Sequence, residues 1–227
     1  MPSISVKEFL IWKKKQLTKG GDQQSFAFLL DYECGVTNSD QNLMNINPEG
    51  NLYLKKNLDY LESIWDNHLL ESSPIQHLCG ITFWRDLKLK VTNKVLIPRP
   101  ETELIVDIVL NIFEKKSQKL FFAELGTGSG AISIALTLSY PFSDGIATDI
   151  DQDALEIAAK NFINFSKQSN LKFYCGNWWS PLESFKGKLD LAISNPPYIP
   201  RDTYEKLPKE VKNFEPKVAL LGGEDGL

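Results

Sequence analysis

Histidine, cysteine and excess positive charge are all scarce in this 227-residue chain, and each scarcity removes a class of function. The two histidines, His68 and His77, stand at no ligand spacing from each other or from a carboxylate pair. They read as surface or satisfied structural groups, and no metal is expected. The three cysteines, Cys34, Cys79 and Cys175, are odd in number, far apart and without the close pairing of a zinc thiolate site, so they read as reduced packing residues. Lysine plus arginine total 25 against 29 aspartate plus glutamate, a net charge of −4. A protein that lives by phosphate contacts carries a strong positive field, so direct nucleic-acid binding is not expected. No run approaches the roughly 20 apolar residues that span a bilayer. The amino-terminal MPSISVKEFLIWKKK also lacks the apolar stretch of a leader. A cytoplasmic protein with no membrane partner is expected. What is present is an ordinary globular mixture, 42% hydrophobic and 24% charged, long enough to bury a core without staples.

Residues 1–73 repeat short amphipathic helices between polar breaks. Ser5 and Glu8 have capping-box spacing, with Val6, Phe9, Leu10 and Leu17 on one side before Gly20 and Gly21. Asp22 can cap a second helix carrying Phe26, Leu29 and Leu30, which stops at Gly35. A third begins near Asn57 and repeats Leu58, Leu61, Ile64, Trp65 and Leu69. The lysines at 13–15 form a solvated face. This helical domain contains no catalytic constellation and is expected to recognise a partner. Residues 74–98 carry ITFW and LKLKV on either side of Arg85 and Asp86, the pattern of a β-hairpin connector. Residues 99–227 open with a helix that has Pro100 at its first position, Glu101 and Glu103 in the first turn, and Lys115 and Lys116 near its end.

From Lys119 onward strands and helices alternate: LFFAEL, AISIALTLS, GIATDI, DQDALEIAAKNFINF, LKFYC and LDLAIS. Continuous apolar strands separated by helices indicate a parallel sheet covered on both faces, with ligands at the carboxyl ends of the strands. ELGTGSG leaves the first strand there and enters a helix. Gly126, Gly128 and Gly130 permit a tight turn and a close backbone approach, with amide hydrogens directed at an anionic group on a ligand. Asp149 ends the second strand, 19 residues after Gly130, where a carboxylate can accept from both ribose hydroxyls. Asp151 or Asp153 could instead cap the following helix. The third strand ends in GNWW, where Trp178 offers an apolar wall for adenine and Asn177 an acceptor for its amino group, unless the tryptophans are core. These features establish a nucleoside cofactor and leave NAD and S-adenosylmethionine both open. A serine nucleophile is excluded, because Thr127 stands where the Gly-x-Ser-x-Gly elbow needs its first glycine.

The fourth strand ends in Asn195, Pro196, Pro197 and Tyr198. A planar amide or aromatic amine is a poor nucleophile because its nitrogen lone pair is delocalised. The Asn195 side-chain oxygen and the Pro196 carbonyl can each accept one N–H of such a group and aim its lone pair at an activated methyl. Pro197 removes a competing donor, and Tyr198 can stack on the flat group beside a sulfonium charge. No strong base is needed, since alkylation makes the departing proton acidic. A nicotinamide oxidoreductase leaves NPPY unexplained and lacks a visible hydride-transfer acid.

At these residues the chain resembles the HemK/PrmC-type peptide chain release factor N(5)-glutamine methyltransferases. The resemblance is carried by PIQHLCG, IPRPETE, ELGTGSGAISIAL, TDID, GNWW, SNPPYIP and FEPKVALLGGEDGL, together with the helical amino-terminal region. It implies an α/β fold, a Rossmann-like S-adenosylmethionine-dependent methyltransferase sheet with a small helical amino-terminal domain. By the same resemblance, Gly126, Thr127, Gly128, Ser129 and Gly130 hold the methionine part of the cofactor, Asp149 its ribose, and Trp178 lies by the adenine. Asn195, Pro196, Pro197 and Tyr198 would bind the glutamine, presented from the Gly-Gly-Gln loop of a release factor. Asn177 departs from the aspartate of many relatives. Arg99 and Glu101 are expected to shape the substrate entrance, or else to form a surface ion pair at a helix start. Family members continue past the position of Leu227 with further strands, so the sheet is expected to be truncated after the fourth strand, with LDLAIS as an exposed edge. Adenine-N6 DNA methylation, which shares NPPY, and a truncated non-catalytic remnant are the alternatives.

Overall fold

The computed structural model describes residues 1–46, 49–114, 117, 119–165 and 170–226. Two compact units result, Met1–Cys79 and Gly80–Leu227.

The first unit is helical with a small strand pair. Strand β1 (Ser3–Ser5) leads into α1 (Val6–Thr18), followed by α2 (Gln23–Leu29) and α3 (Asn38–Ile46). Strand β2 (Asn51–Tyr53) then pairs antiparallel with β1, placing Ile4 opposite Leu52. Helices α4 (Leu58–Glu71) and α5 (Ile75–Cys79) complete the unit. The two three-residue strands are too short to register as a period-2 pattern, which is why sequence reading passes over them.

The caps are those the spacing predicts. Ser5 Oγ accepts the Glu8 N–H, and the Glu8 carboxylate accepts the Ser5 N–H, both at 3.2 Å. Asp22 accepts the Ser25 N–H and Asn57 the Tyr60 N–H. Gly35 ends the second helical segment with φ +79°, a left-handed conformation that favours glycine. The buried stripe of α1 is Val6, Phe9, Trp12 and Gln16, with Leu10 and Leu17 half-buried at its margins. Phe26, Leu29, Leu61, Trp65 and Ile75 close the core, with Trp65 edge-on to Phe26 at 4.8 Å between ring centroids. Truncating Leu61 there would cost about 2–5 kcal/mol in transfer and cavity terms.

His68 is a satisfied structural histidine, buried with Nδ1 2.7 Å from the Ser73 carbonyl oxygen. Cys34 is buried and Cys79 half-buried, and burial pushes both thiols up to about 12. Cys175 departs from the packing role. It ends an edge strand of the second unit, where no layer covers it, and is exposed.

The second unit begins with the hairpin β3 (Ile81–Trp84) and β4 (Leu87–Lys90), turned by Arg85 at φ +49°. Leu87 and Leu89 point into the core while Lys88 and Lys90 are exposed, the alternation a one-sided ribbon needs. A single 3₁₀ turn, Pro100–Thr102, opens α6 (Glu103–Ile112). Lys115 and Lys116 lie outside the described residues. There follow β5 (Phe121–Leu125), α7 (Ala131–Ser139), β6 (Asp144–Asp149), α8 (Gln152–Phe165), β7 (Asn170–Cys175) and β8 (Leu191–Ser194). The strands form one parallel sheet in the order β7-β6-β5-β8.

One face of this sheet packs against α6 and α7 through Phe122, Val106, Val109 and Ile134. The opposite face carries Ala123, Leu125 and Ile146, covered by Leu182 and Phe185 of a 3₁₀ segment rather than by a long helix. Strand β8 lies at one edge, with Ala192 exposed. Beyond it come three short helices, α9 (Arg201–Tyr204), α10 (Lys209–Phe214) and α11 (Lys217–Leu220). They return the chain to the end of β8, where the Ile199 N–H donates to the Leu220 carbonyl and the Gly222 N–H to the Ile199 carbonyl, both at 3.0 Å.

Candidate functional site

A cavity of about 890 Å³ opens at the carboxyl ends of the four strands. Strand order reverses about β5 there, the place where open parallel sheets hold ligands. Every lining residue belongs to Gly80–Leu227.

The loop after β5 is built differently from an anion cradle. The Thr127 N–H donates to the Thr148 carbonyl, the Gly128 N–H to Asp149 Oδ2 at 2.8 Å, and the Gly130 N–H to the Thr127 carbonyl. Those three amides are therefore committed within the protein, which corrects, at Gly128 and Gly130, the expectation that the glycine amides point at a ligand. The positive end of α7 is also taken. Glu124 is buried under it and accepts the Ser133 N–H at 3.0 Å, the Ser133 hydroxyl, and the Thr127 hydroxyl at 2.7 Å. A carboxylate at a helix N-terminus satisfies orphan amides and the macrodipole together. Burial nevertheless pushes the Glu124 carboxyl up to about 7. Its hydrogen bonds work in the opposite direction, and the charge of Asp149 adds to the rise.

Glu124 lines the cavity, and the sequence reading missed it. A signal was available. Alternation along β5 puts Glu124 on the same face as Phe122, under α7, so an acid stands in an otherwise apolar strand.

Gly126, Thr127, Gly128 and Ser129 all line the cavity, whereas Gly130 does not. At Gly128, with φ +54°, an added Cβ would meet nothing within 4 Å, so the space above the loop is open for a ligand. A Cβ on Gly130 would come within 3.1 Å of the Ala158 Cβ, which makes Gly130 a close-packing position between α7 and α8.

Asp149 is half-buried, and its two oxygens accept from the Gly128 and Asp151 amides. Each carboxylate oxygen has a second lone pair, so acceptor capacity for a ribose diol remains. Asp151 provides the cap of α8, accepting the Asp153 N–H at 2.8 Å, and this frees Asp149 from that role.

Trp178 and Trp179 are about half exposed, at 45% and 52%, so neither is core. Trp178 lines the cavity with φ +48°. A bulky side chain in the left-handed region costs about 1–3 kcal/mol, strain that the surroundings must impose. Asn177 also lines the cavity.

At the end of β8, Asn195 and Pro197 line the same cavity, while Pro196 is exposed and Tyr198 is 66% exposed beside it. Asn195 Nδ2 donates to the Thr102 hydroxyl at 3.4 Å, which leaves Oδ1 as the available acceptor. Arg99 is not among the residues that line the cavity. Its Nη2 donates to both oxygens of Glu215, at 2.7 and 2.8 Å, and the Glu215 side chain is only 2% exposed. Glu101 is exposed on the turn. The walls formed by 94–98 and 216–222 were also not anticipated: IPRPETE and FEPKVALLGGEDGL, which overlap them, carried the resemblance without pointing to a place in the cavity.

The residues present fit S-adenosylmethionine better than a dinucleotide. A pyrophosphate needs free amides at the helix end, and here a buried carboxylate occupies that position. A nucleoside without a pyrophosphate fits there instead, beside a diol acceptor at Asp149 and an aromatic wall at Trp178.

Comparisons with known proteins agree. A family model described as Methyltransferase small domain matches residues 103–209. A release factor glutamine methyltransferase of Prochlorococcus marinus is 40% identical over 225 residues, which are 99% of this chain and 77% of that protein. One from Bacillus anthracis is 36% identical over 226 residues, 99% of this chain and 78% of the relative. One from Synechocystis is 42% identical over 177 residues, 77% of this chain and 59% of the relative.

Proposed function

The chain belongs to the release factor glutamine methyltransferases, and from that premise we propose that it methylates the side-chain amide nitrogen of the glutamine in the Gly-Gly-Gln motif of a peptide chain release factor. S-adenosylmethionine is the cofactor, and when bound it supplies a methyl group on a positively charged sulfur. The remaining chemistry belongs to the chain. Asp149 places a carboxylate on the cavity wall, and Glu124, raised to about 7, adds negative charge there as pH rises through that value. Asp149 takes the ribose hydroxyls, and Trp178 and Asn177 border the adenine.

Asn195 Oδ1 and the Pro196 carbonyl accept the two hydrogens of the substrate amide and turn its nitrogen lone pair toward the reacting carbon. Pro197 keeps the turn stiff and contributes no competing N–H, and Tyr198 stacks on the planar amide. The amide proton, made acidic by alkylation, leaves to solvent, so a site without histidine suffices. Gly126, Thr127, Gly128 and Ser129 shape the loop against the cofactor, and Gly130 seats that loop on α8. The helical unit, Met1–Cys79, is assigned to release-factor recognition, and the protein to the cytoplasm. Among the described residues no helix is long and apolar enough to cross a membrane.

The observation that carries this reading is that the Asn195 carboxamide and the buried Glu124 open onto one cavity. The test incubates the protein with S-adenosylmethionine and a release factor and examines the Gly-Gly-Gln peptide by mass spectrometry. One added methyl on the glutamine, lost in Asn195→Ala, is expected. Transfer to duplex DNA with none to the release factor would overturn the reading.

A further inference from the structure

The NPPY segment is held from two sides, and the two holders are themselves joined. On one side Asn195 donates to Thr102, whose turn begins at Arg99: the Thr102 N–H donates to the Arg99 carbonyl at 3.1 Å, and that carbonyl also accepts the Trp84 indole N–H at 2.9 Å. On the other side Ile199 exchanges backbone hydrogen bonds with Leu220 and Gly222. The segment that supplies those partners begins at Glu215, followed by Pro216. Arg99 Nη2 joins the two holders through both oxygens of the buried Glu215 carboxylate. The result is a closed ring: Asn195 to Thr102, Arg99 to Glu215, Leu220 to Ile199, and back along the chain to Asn195.

We infer that Arg99 and Glu215 are positioning residues for the methyl-transfer segment. Neither lines the cavity, and they fix the separation of the two walls that hold Asn195 and Ile199. This rests on the reading that NPPY carries the reaction. The Glu215 carboxylate is removed from water while Arg99 stays partly exposed, so losing Arg99 leaves a buried charge unpaired and the contact is held firmly from the Glu215 side. A rigid clamp is what a site with tolerances of a fraction of an ångström needs.

The test compares the wild-type chain with Glu215→Gln, Arg99→Met and Arg99→Lys by two readouts. The first is amide hydrogen exchange in the peptides holding Ile199 and Gly222. The second is kcat and KM for the release factor, with the cofactor dissociation constant measured by calorimetry. In Glu215→Gln and Arg99→Met, exchange at Ile199 should quicken at least tenfold and kcat should fall at least tenfold, with cofactor affinity within threefold of wild type. Arg99→Lys should recover much of both losses, because a single nitrogen makes both contacts to Glu215. If Glu215→Gln does not fold, the Arg99→Met and Arg99→Lys pair decides the matter alone. Unchanged exchange and kcat in Arg99→Met would overturn the inference, as would kcat and cofactor affinity falling by the same factor. A wild-type protein that leaves the release factor unmethylated, but whose exchange responds as stated, removes the functional reading and leaves the positioning role standing.

Discussion

Gly222→Ala offers a measure of how tightly the reacting segment is held. A Cβ built on Gly222 would stand 2.6 Å from the Pro197 carbonyl oxygen and 2.9 Å from the Tyr198 Cα. Both are backbone atoms, so no flexible side chain can swing away. Ordinary contact begins near 3.4 Å, so the nearer contact is about 0.8 Å too close, and one of the two segments must retreat. Gly222 does not sit in the left-handed region, so alanine adds bulk without backbone strain. If the displacement is shared equally, Pro197 moves about 0.4 Å. Misplacement by about 1 Å costs roughly a hundredfold in a positioned reaction. About 0.4 Å then predicts a drop in kcat of about sixfold, or about 1.1 kcal/mol in barrier. Overpacking adds about 1–3 kcal/mol of lost stability, seen as a lowered Tm. Steady-state kinetics on a release factor with saturating cofactor reads the first effect, and thermal unfolding the second. A variant with kcat within twofold of wild type and an unchanged Tm would refute the claim that Leu220–Gly222 holds the NPPY turn.

Three other perturbations probe separate parts of the chain. The folded Glu124 carboxyl titrates near 7 against about 4.5 unfolded, so between those values the folded protein holds the extra proton and stability falls as pH rises through the window, by about 3 kcal/mol in all. Urea unfolding from pH 5 to 8 should show that slope in the wild type and a flatter one in Glu124→Gln, and parallel curves would remove Glu124 as its source. Asp149→Ala deletes the acceptor of the Gly128 and Asp151 amides and should weaken S-adenosylmethionine binding roughly a hundredfold, while calorimetry showing less than a threefold change would contradict the assignment. Ser5→Ala opens the reciprocal cap of α1 and should lower unfolding stability by about 1 kcal/mol with kcat untouched, and equal denaturation midpoints would show that the cap contributes nothing.

The sequence was most legible where local rules and burial agree. Ser5 with Glu8, Asp22 and Asn57 announced their caps, and the apolar runs of β5, β6, β7 and β8 announced strands to within about two residues. The Gly-rich loop, Asp149, Trp178 and Asn195 could be placed at strand ends because a parallel sheet brings those ends together. What stayed hidden depends on partners remote in the chain. Glu215 lies 116 residues from Arg99, and no local pattern couples them. β1 and β2 exist because Ile4 meets Leu52 across three residues of pairing. The loop amides could be expected to face a ligand only while the acceptors supplied by Thr148 and Asp149 were unknown.

Those acceptors also explain why two cofactor classes fit one fingerprint. Glycines in a strand-to-helix turn permit close approach to any nucleoside, whichever group follows the sugar. The choice between groups depends on what already occupies the end of the helix. Glu124, hydrogen-bonded to the Ser133 amide at 3.0 Å, fills the place where a pyrophosphate would otherwise collect amide donors. The discriminating residue is therefore the acid before the glycines rather than the glycines themselves. Above pH 7, where that acid is charged, replacing it with a neutral side chain should narrow the preference for a cationic nucleoside before it impairs binding of a neutral one, a difference that competition between S-adenosylmethionine and adenosine would reveal.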